Sequence, residues 1–336
     1  MQYRAASLPF QYPFTISNGR TKTHQPSLVV SLSLGNLTGF GEAPAITYYQ
    51  VTVEGMVAEL EKKRQLVEKF ALTEPERYWH YLHHLFPENP FLVSALDMAC
   101  WDLYGKMKQQ LLYQLWDTSW EKIPLTDYTI GIDSPERMVS KMEARKWPVY
   151  KIKLGTDQDI KILEELRKKT DAVFRVDANA GWSLAEALEK IPELKRLGVE
   201  LVEQPLAKNN WDEMKILYEN TVLPLFADES CVFEKDVEKC SGYFHGINIK
   251  LTKCSGITPA RRMIRQARTL GLKVMMGSMN ESSIGSAAIA NFLPQLDYCD
   301  MDGPLLLADD LAAGLVFDEG NVRITGKSGL GIEVNT

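Results

Sequence analysis

The sequence predicts an α/β protein, a TIM-type barrel preceded by an antiparallel sheet and two helices. From about residue 123 onward, short apolar runs alternate with charged amphipathic stretches over roughly 180 residues, the rhythm of parallel strands joined by crossover helices. Eight such runs occur, the number a closed barrel needs. Lys153, Asp177, Glu203, Asp228 and Lys250 recur at intervals of 24, 26, 25 and 22 residues, so one strand end after another presents a charge to a shared centre. A doubly wound open sheet is the structural rival. Its signature, G-x-G-x-x-G after a strand, is absent from the sequence.

Taken in order, residues 27–34 alternate as a strand, Gly35-Asn36 supplies turn chemistry, and 38–43 return antiparallel. Residues 53–70 form a helical pattern with a charged face (Glu59, Glu61, Lys62, Lys63), and 91–108 form a mostly apolar helix. Barrel strands are predicted at 125–130, 149–154, 173–176, 199–202, 223–227, 246–249, 272–276 and 298–301. Between them lie helices such as 158–169, 183–197, 211–219 and 259–270.

Composition narrows the function. The 336 residues carry a formal charge of −6, with 45% hydrophobic and 24% charged residues, an ordinary balance for a soluble globular protein. With no basic run, nucleic acid is not an expected partner. No stretch approaches the roughly 18 uninterrupted apolar residues of a membrane span. The first residues lack the basic-then-apolar order of a signal peptide. Cys100, Cys231, Cys240, Cys254 and Cys299 show no C-x-x-C spacing, which reads as reduced, mostly buried thiols in a cytoplasmic protein.

Lys151 and Lys153 stand two apart in a strand, so both side chains point at the barrel mouth. Two like charges this close are expected to depress each other's pKa, which suits a base working near neutral pH. Asp177, Glu203 and Asp228 each close an apolar run before a break, where a barrel keeps its ligands. Packed carboxylates repel unless a cation neutralises them, and three oxygen donors suit Mg²⁺. Glu229 competes with Asp228, but neighbours on a strand face opposite ways, which favours Asp228. Lys250 ends its run three strands beyond Asp177, so it approaches the centre opposite Lys153. Two bases on opposite faces of one carbon are what a racemase or epimerase requires. A metal on the adjacent carboxylate stabilises the charge left when the proton leaves.

As a set, these residues resemble the enolase superfamily, muconate-lactonising subgroup. The matching pieces are Lys151-x-Lys153, Asp177-x-Asn179, Glu203-Gln204-Pro205, Asp228-Glu229-Ser230 and Asn248-Ile249-Lys250-Leu251, with Gly277-Ser278-Met279-x-Glu281-Ser282 and Gly39-Phe40-Gly41-Glu42-Ala43. The resemblance spans nearly the whole chain. It implies a modified (β/α)7β barrel over 116–309 and an α+β capping domain over 1–115, to which 310–336 returns. It also implies Asp177, Glu203 and Asp228 as Mg²⁺ ligands, with Lys153 and Lys250 as the acid/base pair. The usual Gly-Gly after the last lysine segment is Ser255-Gly256 here, a local backbone departure.

Asp300-Met301-Asp302 places two acids on one face at the last strand, a site for a cationic group. The pair resembles that of dipeptide epimerases, where it binds the substrate's α-ammonium. The same resemblance implies that Thr126, Lys151 and Ser278 touch the dipeptide or its carboxylate. It further implies that the C-terminal residue chelates Mg²⁺ and is inverted at its α-carbon. Arg20, in the polar loop 17–24, matches an arginine that meets the glutamate side chain in L-Ala-D/L-Glu epimerases, with Lys22 a nearby alternative. An acidic dipeptide of murein-peptide type follows from that match.

The rivals are other members of the subgroup: N-acylamino-acid racemase, o-succinylbenzoate synthase and muconate cycloisomerase, whose substrates lack a free ammonium. A Schiff-base aldolase using Lys153 or Lys250, and a barrel that only binds a metal-chelated metabolite, are rivals of other kinds. His80-x-x-His83-His84 reads as a surface or partly packed helix, and Trp101, Trp182 and Trp211 as residues that fill the core or line a helix face. Lys253 reads as a loop charge. The sequence leaves homo-oligomerisation open.

Overall fold

The computed structural model describes residues 1–15 and 21–335. Arg20, the expected contact for an acidic substrate side chain, lies outside the described residues. Three antiparallel strands come first: β1 (Gln2–Thr15), β2 (Thr21–Leu34) and β3 (Leu37–Pro44), paired in chain order. Gly35 takes a left-handed φ of 59° in the short turn between β2 and β3, a conformation side chains resist.

Helices α1 (Val53–Lys69), α2 (Pro75–Leu85) and α3 (Pro90–Lys108) follow. Thr52 caps α1 by accepting from the Gly55 N–H at 3.0 Å, and Asn89 caps α3 through the Leu92 N–H at 3.2 Å. α3 lies directly on β3. A side chain at Gly39 or Gly41 would run into the backbone of α3 at Ala99 or Ala95, so alternate glycines let helix and strand touch. α3 also packs on helices of the barrel, which is why it is apolar on nearly all sides.

The barrel strands are β4 (Tyr128–Ile130), β5 (Val149–Lys153), β6 (Val173–Asp177), β7 (Val199–Glu203), β8 (Leu225–Ala227), β9 (Gly246–Ile249), β10 (Lys273–Gly277) and β11 (Tyr298–Asp300). All pair parallel in chain order, with a helix between each successive pair, so the architecture is (β/α)7β. The first predicted strand is shortened. Instead of extending β4, Thr126 bridges to Cys299 and the Asp127 N–H donates to the Cys299 carbonyl at 3.3 Å, which closes β11 against β4. Leu201, Phe226, Met275 and Tyr298 pack together. Each stands two residues before Glu203, Asp228, Gly277 or Asp300, so the period of two sets this plug directly beneath the strand ends. All five cysteines are free and buried. Among the described residues no helix is long and apolar enough to cross a membrane.

Three fully buried carboxylates fasten the N-terminal unit to the rest. Glu42 of β3 accepts from the Ser282 and Gly285 N–H groups at 3.1 and 3.2 Å, at the start of helix Ser283–Ala290. Asp97 of α3 accepts from the Thr258 N–H and hydroxyl at 2.9 and 2.8 Å, at the start of helix Ile257–Thr269. Asp102 accepts from the Leu330 and Phe40 N–H groups at 2.8 and 2.9 Å. Helix N-termini favour negative charge, and buried donors need acceptors. Asp97→Ala strands both Thr258 donors in an apolar junction and is expected to lower the unfolding free energy by roughly 3 kcal/mol in a urea titration. A loss below about 1 kcal/mol would contradict this role for the carboxylate.

Candidate active site

The strand register builds the site. Lys153 pairs with Asp177 across β5 and β6, and Asp177 with Glu203 across β6 and β7. Asp228 and Lys250 follow directly on β8 and β9. Asp177, Glu203 and Asp228 are all buried and bring one carboxylate oxygen each to within 4.8 Å of one another. β5 and β9 lie four places apart in the eight-strand ring, so Lys153 and Lys250 enter from opposite sides. Lys153 Nζ donates to Asp177 Oδ2 at 2.6 Å, and Lys250 Nζ to Asp228 Oδ2 at 2.8 Å. Lys151, one step deeper on the same face of β5, donates to Glu203 Oε2 and Asp300 Oδ2, both at 2.7 Å.

The cluster's charges are interlocked. Burial alone raises every carboxyl here, yet the Lys153 and Lys151 ammoniums hold Asp177 down at about 2. Asp228 is likewise held well below the carboxylate range, because Lys250 and Lys253 outweigh its burial. Glu203 is pushed up to about 7, by burial and by the charge of Asp177. The expected depression of the paired lysines fails at Lys151. Burial does disfavour its charge, but Asp300, Glu203 and Asp177 surround it and hold its pKa well above the ordinary value. Lys250 is raised in the same way, by Asp228 and Glu203 against its burial.

The three acids fit a hard divalent cation. Besides their own oxygens, Asn179 Oδ1, Asn248 Oδ1 and Glu229 Oε2 are buried acceptors in these segments without a protein donor, the pattern that a hydrated cation satisfies. Asn248 Nδ2 donates to Glu203 Oε1 at 2.8 Å and so fixes that carboxylate's orientation.

A second acidic corner lies against the first. Asp300 ends β11; burial would raise its carboxyl, but Lys151 and Lys153 keep it below the ordinary value. Asp302, two residues on, accepts from the Thr129 N–H at 2.6 Å. Burial and the neighbouring charge of Asp300 push Asp302 up to about 7. Thr126 is buried in the barrel seam, where its hydroxyl accepts from the Met301 N–H at 3.0 Å and donates to the Asp127 carbonyl at 3.3 Å. Ser278, half-buried just past β10, donates its N–H to the Asp300 carbonyl at 2.8 Å.

Some contributors were not assigned a role from sequence. Gln204 accepts from the N–H groups of Asp228 and Ser230 at 3.0 and 3.1 Å, holding the turn that carries Asp228. Lys253 is no loop charge: its side chain is wholly buried against Asp228. Its place one helical turn after Lys250 is the only trace of this in the sequence. Ser255, standing where glycine is usual, adopts a left-handed φ of 73°. Its carbonyl and hydroxyl both accept from Trp79 Nε1–H, at 2.9 and 3.2 Å, a tie to α2 that offsets the backbone cost. His80, His83 and His84 are exposed, and His83 stacks on Trp79 at 4.9 Å, in keeping with a surface helix that is partly packed.

Comparison with known proteins agrees with this geometry. Residues 135–336 match the family described as enolase C-terminal domain-like, and residues 2–116 match the mandelate racemase/muconate lactonizing enzyme N-terminal domain. The chain is 48% identical to an L-Ala-D/L-amino acid epimerase of Flavobacterium johnsoniae, covering 98% of each protein. It is 35% identical to an L-Ala-D/L-Glu epimerase of Bacteroides thetaiotaomicron, covering 99% of this chain and 87% of that protein. The solved substrate-liganded complex of the L-Ala-D/L-Glu epimerase from Bacillus subtilis superposes with a TM-score of 0.92 at 29% identity, over 98% of this chain and 97% of that one. A dipeptide epimerase from Methylococcus capsulatus, complexed with Mg and the dipeptide L-Arg-D-Lys, gives 0.91 at 29% identity, over 99% and 98%. With both of its halves matched, the chain belongs to the enolase superfamily, in its mandelate racemase/muconate lactonizing branch.

Proposed function

We propose that this chain is an isomerase, a Mg²⁺-dependent dipeptide epimerase. It inverts the α-carbon of the C-terminal residue of a dipeptide by 1,1-proton transfer through an enediolate. One observation carries the reading: Lys153 and Lys250 flank the three-acid cluster from opposite walls, with the Asp300–Asp302 corner beside it. The epimerase names of relatives up to 48% identical support the same activity. We read 1–115 as the capping domain, 116–309 as the barrel and 310–336 as the segment that rejoins the cap.

Asp177, Glu203 and Asp228 are the residues that hold Mg²⁺, which when bound supplies Lewis-acid stabilisation of charge on the substrate carboxylate. Lys153 removes the α-proton from one face and Lys250 delivers one to the other, with the roles reversed for the opposite epimer. Lys151, held charged by its carboxylates, neutralises the substrate carboxylate alongside them. Asp300 and Asp302 receive the substrate ammonium, which favours a free N-terminus over an N-acyl group. Ser278 and Thr126 line the same end. The broader name of the 48% relatives supports an N-terminal alanine with varied second residues, and Arg20 is assigned to an acidic one.

The test is a panel of L-Ala-L-Xaa dipeptides incubated in D₂O with Mg²⁺ and followed by mass and chirality. Deuterium gain with inversion is expected, led by substrates ending in glutamate or aspartate and abolished by EDTA. A lead by cationic or apolar residues would remove the Arg20 assignment and leave the chemistry standing. Turnover of N-acyl amino acids alone would overturn the dipeptide reading.

A further inference from the structure

We infer that Lys253 is a positioning residue for Asp228, an inference that rests on reading Asp177, Glu203 and Asp228 as the cation site. Lys253 lies in the one-turn helix Leu251–Cys254, and its side chain is 0% exposed. Its ammonium has three acceptors, all on one turn of chain: Asp228 Oδ1 at 2.5 Å, the Asp228 carbonyl at 2.6 Å and the Cys231 carbonyl at 3.2 Å. An ammonium has three hydrogens, so this one is fully engaged and has none left for a substrate. Two lysines therefore divide one carboxylate: Lys253 takes Oδ1, and Lys250 takes Oδ2 at 2.8 Å.

The division has a purpose in proton transfer. When Lys250 turns toward a substrate carbon, Asp228 keeps a cationic partner on Oδ1, and Oδ2 is the oxygen released. Gln204 grips the same turn from its amide side, through the N–H groups of Asp228 and Ser230. Lys253 grips it from its carbonyl side. Removing Lys253 leaves the Cys231 carbonyl and Asp228 Oδ1 buried without their donor and the Asp228 carbonyl with the Cys231 N–H at 3.2 Å, so the turn relaxes and the Asp228 carboxylate leans on Lys250.

Mg²⁺ titrated calorimetrically into the full chain without substrate, for wild type and Lys253→Met, tests this. Loss of a like charge would by itself tighten cation binding, so a positional role predicts the opposite sign. The Mg²⁺ dissociation constant is expected to rise at least about tenfold. Unchanged or tighter binding, with only the melting temperature of the metal-free protein lowered, would overturn the inference in favour of a packing or charge role. Lys253→Gln, whose shorter amide cannot span the three acceptors, carries the same expectation and stands in if Lys253→Met fails to fold. Wild-type protein that bound no Mg²⁺ would instead overturn the cation-site reading beneath it.

Discussion

Lys153→Met and Lys250→Met are each expected to stop inversion, slowing it by about 10³-fold, while leaving the α-hydrogen of one epimer exchanging with D₂O. The expectation follows from their placement on opposite walls of the barrel. A lone remaining lysine can still remove the proton on its own face. Its ammonium then rotates, trades hydrogen with solvent and returns deuterium to that same face with configuration retained. The two variants must therefore be mirror images, Lys153→Met exchanging one epimer and Lys250→Met the other. Proton spectra of each pure epimer in D₂O read this directly. If either variant kept a tenth of wild-type inversion, or if both exchanged the same epimer, the two-base assignment would fail. The carboxylates that hold these lysines, Asp177 and Asp228, are also the ones assigned to Mg²⁺. Occupancy of the cluster and basicity of the lysines are thereby linked.

Asp302→Asn is expected to lower kcat/KM for dipeptides by about 10²-fold, because a substrate ammonium would be buried against an amide rather than a carboxylate. The pH profile adds a signature. Burial and the charge of Asp300 raise Asp302 to about 7, so below that pH it gains a proton and ceases to be an ammonium's counter-charge. In the wild type kcat/KM should fall as pH drops through about 7. In Asp302→Asn, assayed at saturating Mg²⁺ so that Glu203 stays ionised, that limb should vanish, leaving a lower, flatter profile. A variant that turned over dipeptides like wild type would remove Asp302 from the ammonium site.

The barrel and its charged rim were legible because parallel strands report themselves by spacing. Each of β5, β6 and β7 ends on a charged residue, and their in-register pairing turns a sequence interval into a neighbour in space. The antiparallel character of the first forty residues was legible but the bounds of β1 were not: Pro9 and Pro13 interrupt its alternation, and its pairing with β2 shifts between Pro9 and Phe14. Helix Ser283–Ala290 is buried on every side and so lacks the amphipathic period that marks a surface helix. At Lys151 the sequence displays the neighbouring lysine but not the carboxylates of Asp300, Glu203 and Asp177 that the fold brings to it. Lys253 was missed for a related reason: a one-turn helix has too few residues to show which face is inside.

The three buried carboxylates between the N-terminal unit and the barrel bear on modularity. Glu42, Asp97 and Asp102 each bond to a backbone amide from a distant stretch of chain, at Ser282, Thr258 and Leu330. A chimera that transplants the cap alone, as a route to new specificity, inherits buried carboxyls whose donor amides belong to the recipient. Such grafts should travel with the turns that open helices Ile257–Thr269 and Ser283–Ala290 and with the Gly329-Leu330 strap. The exchangeable unit in this protein is the cap together with its sockets.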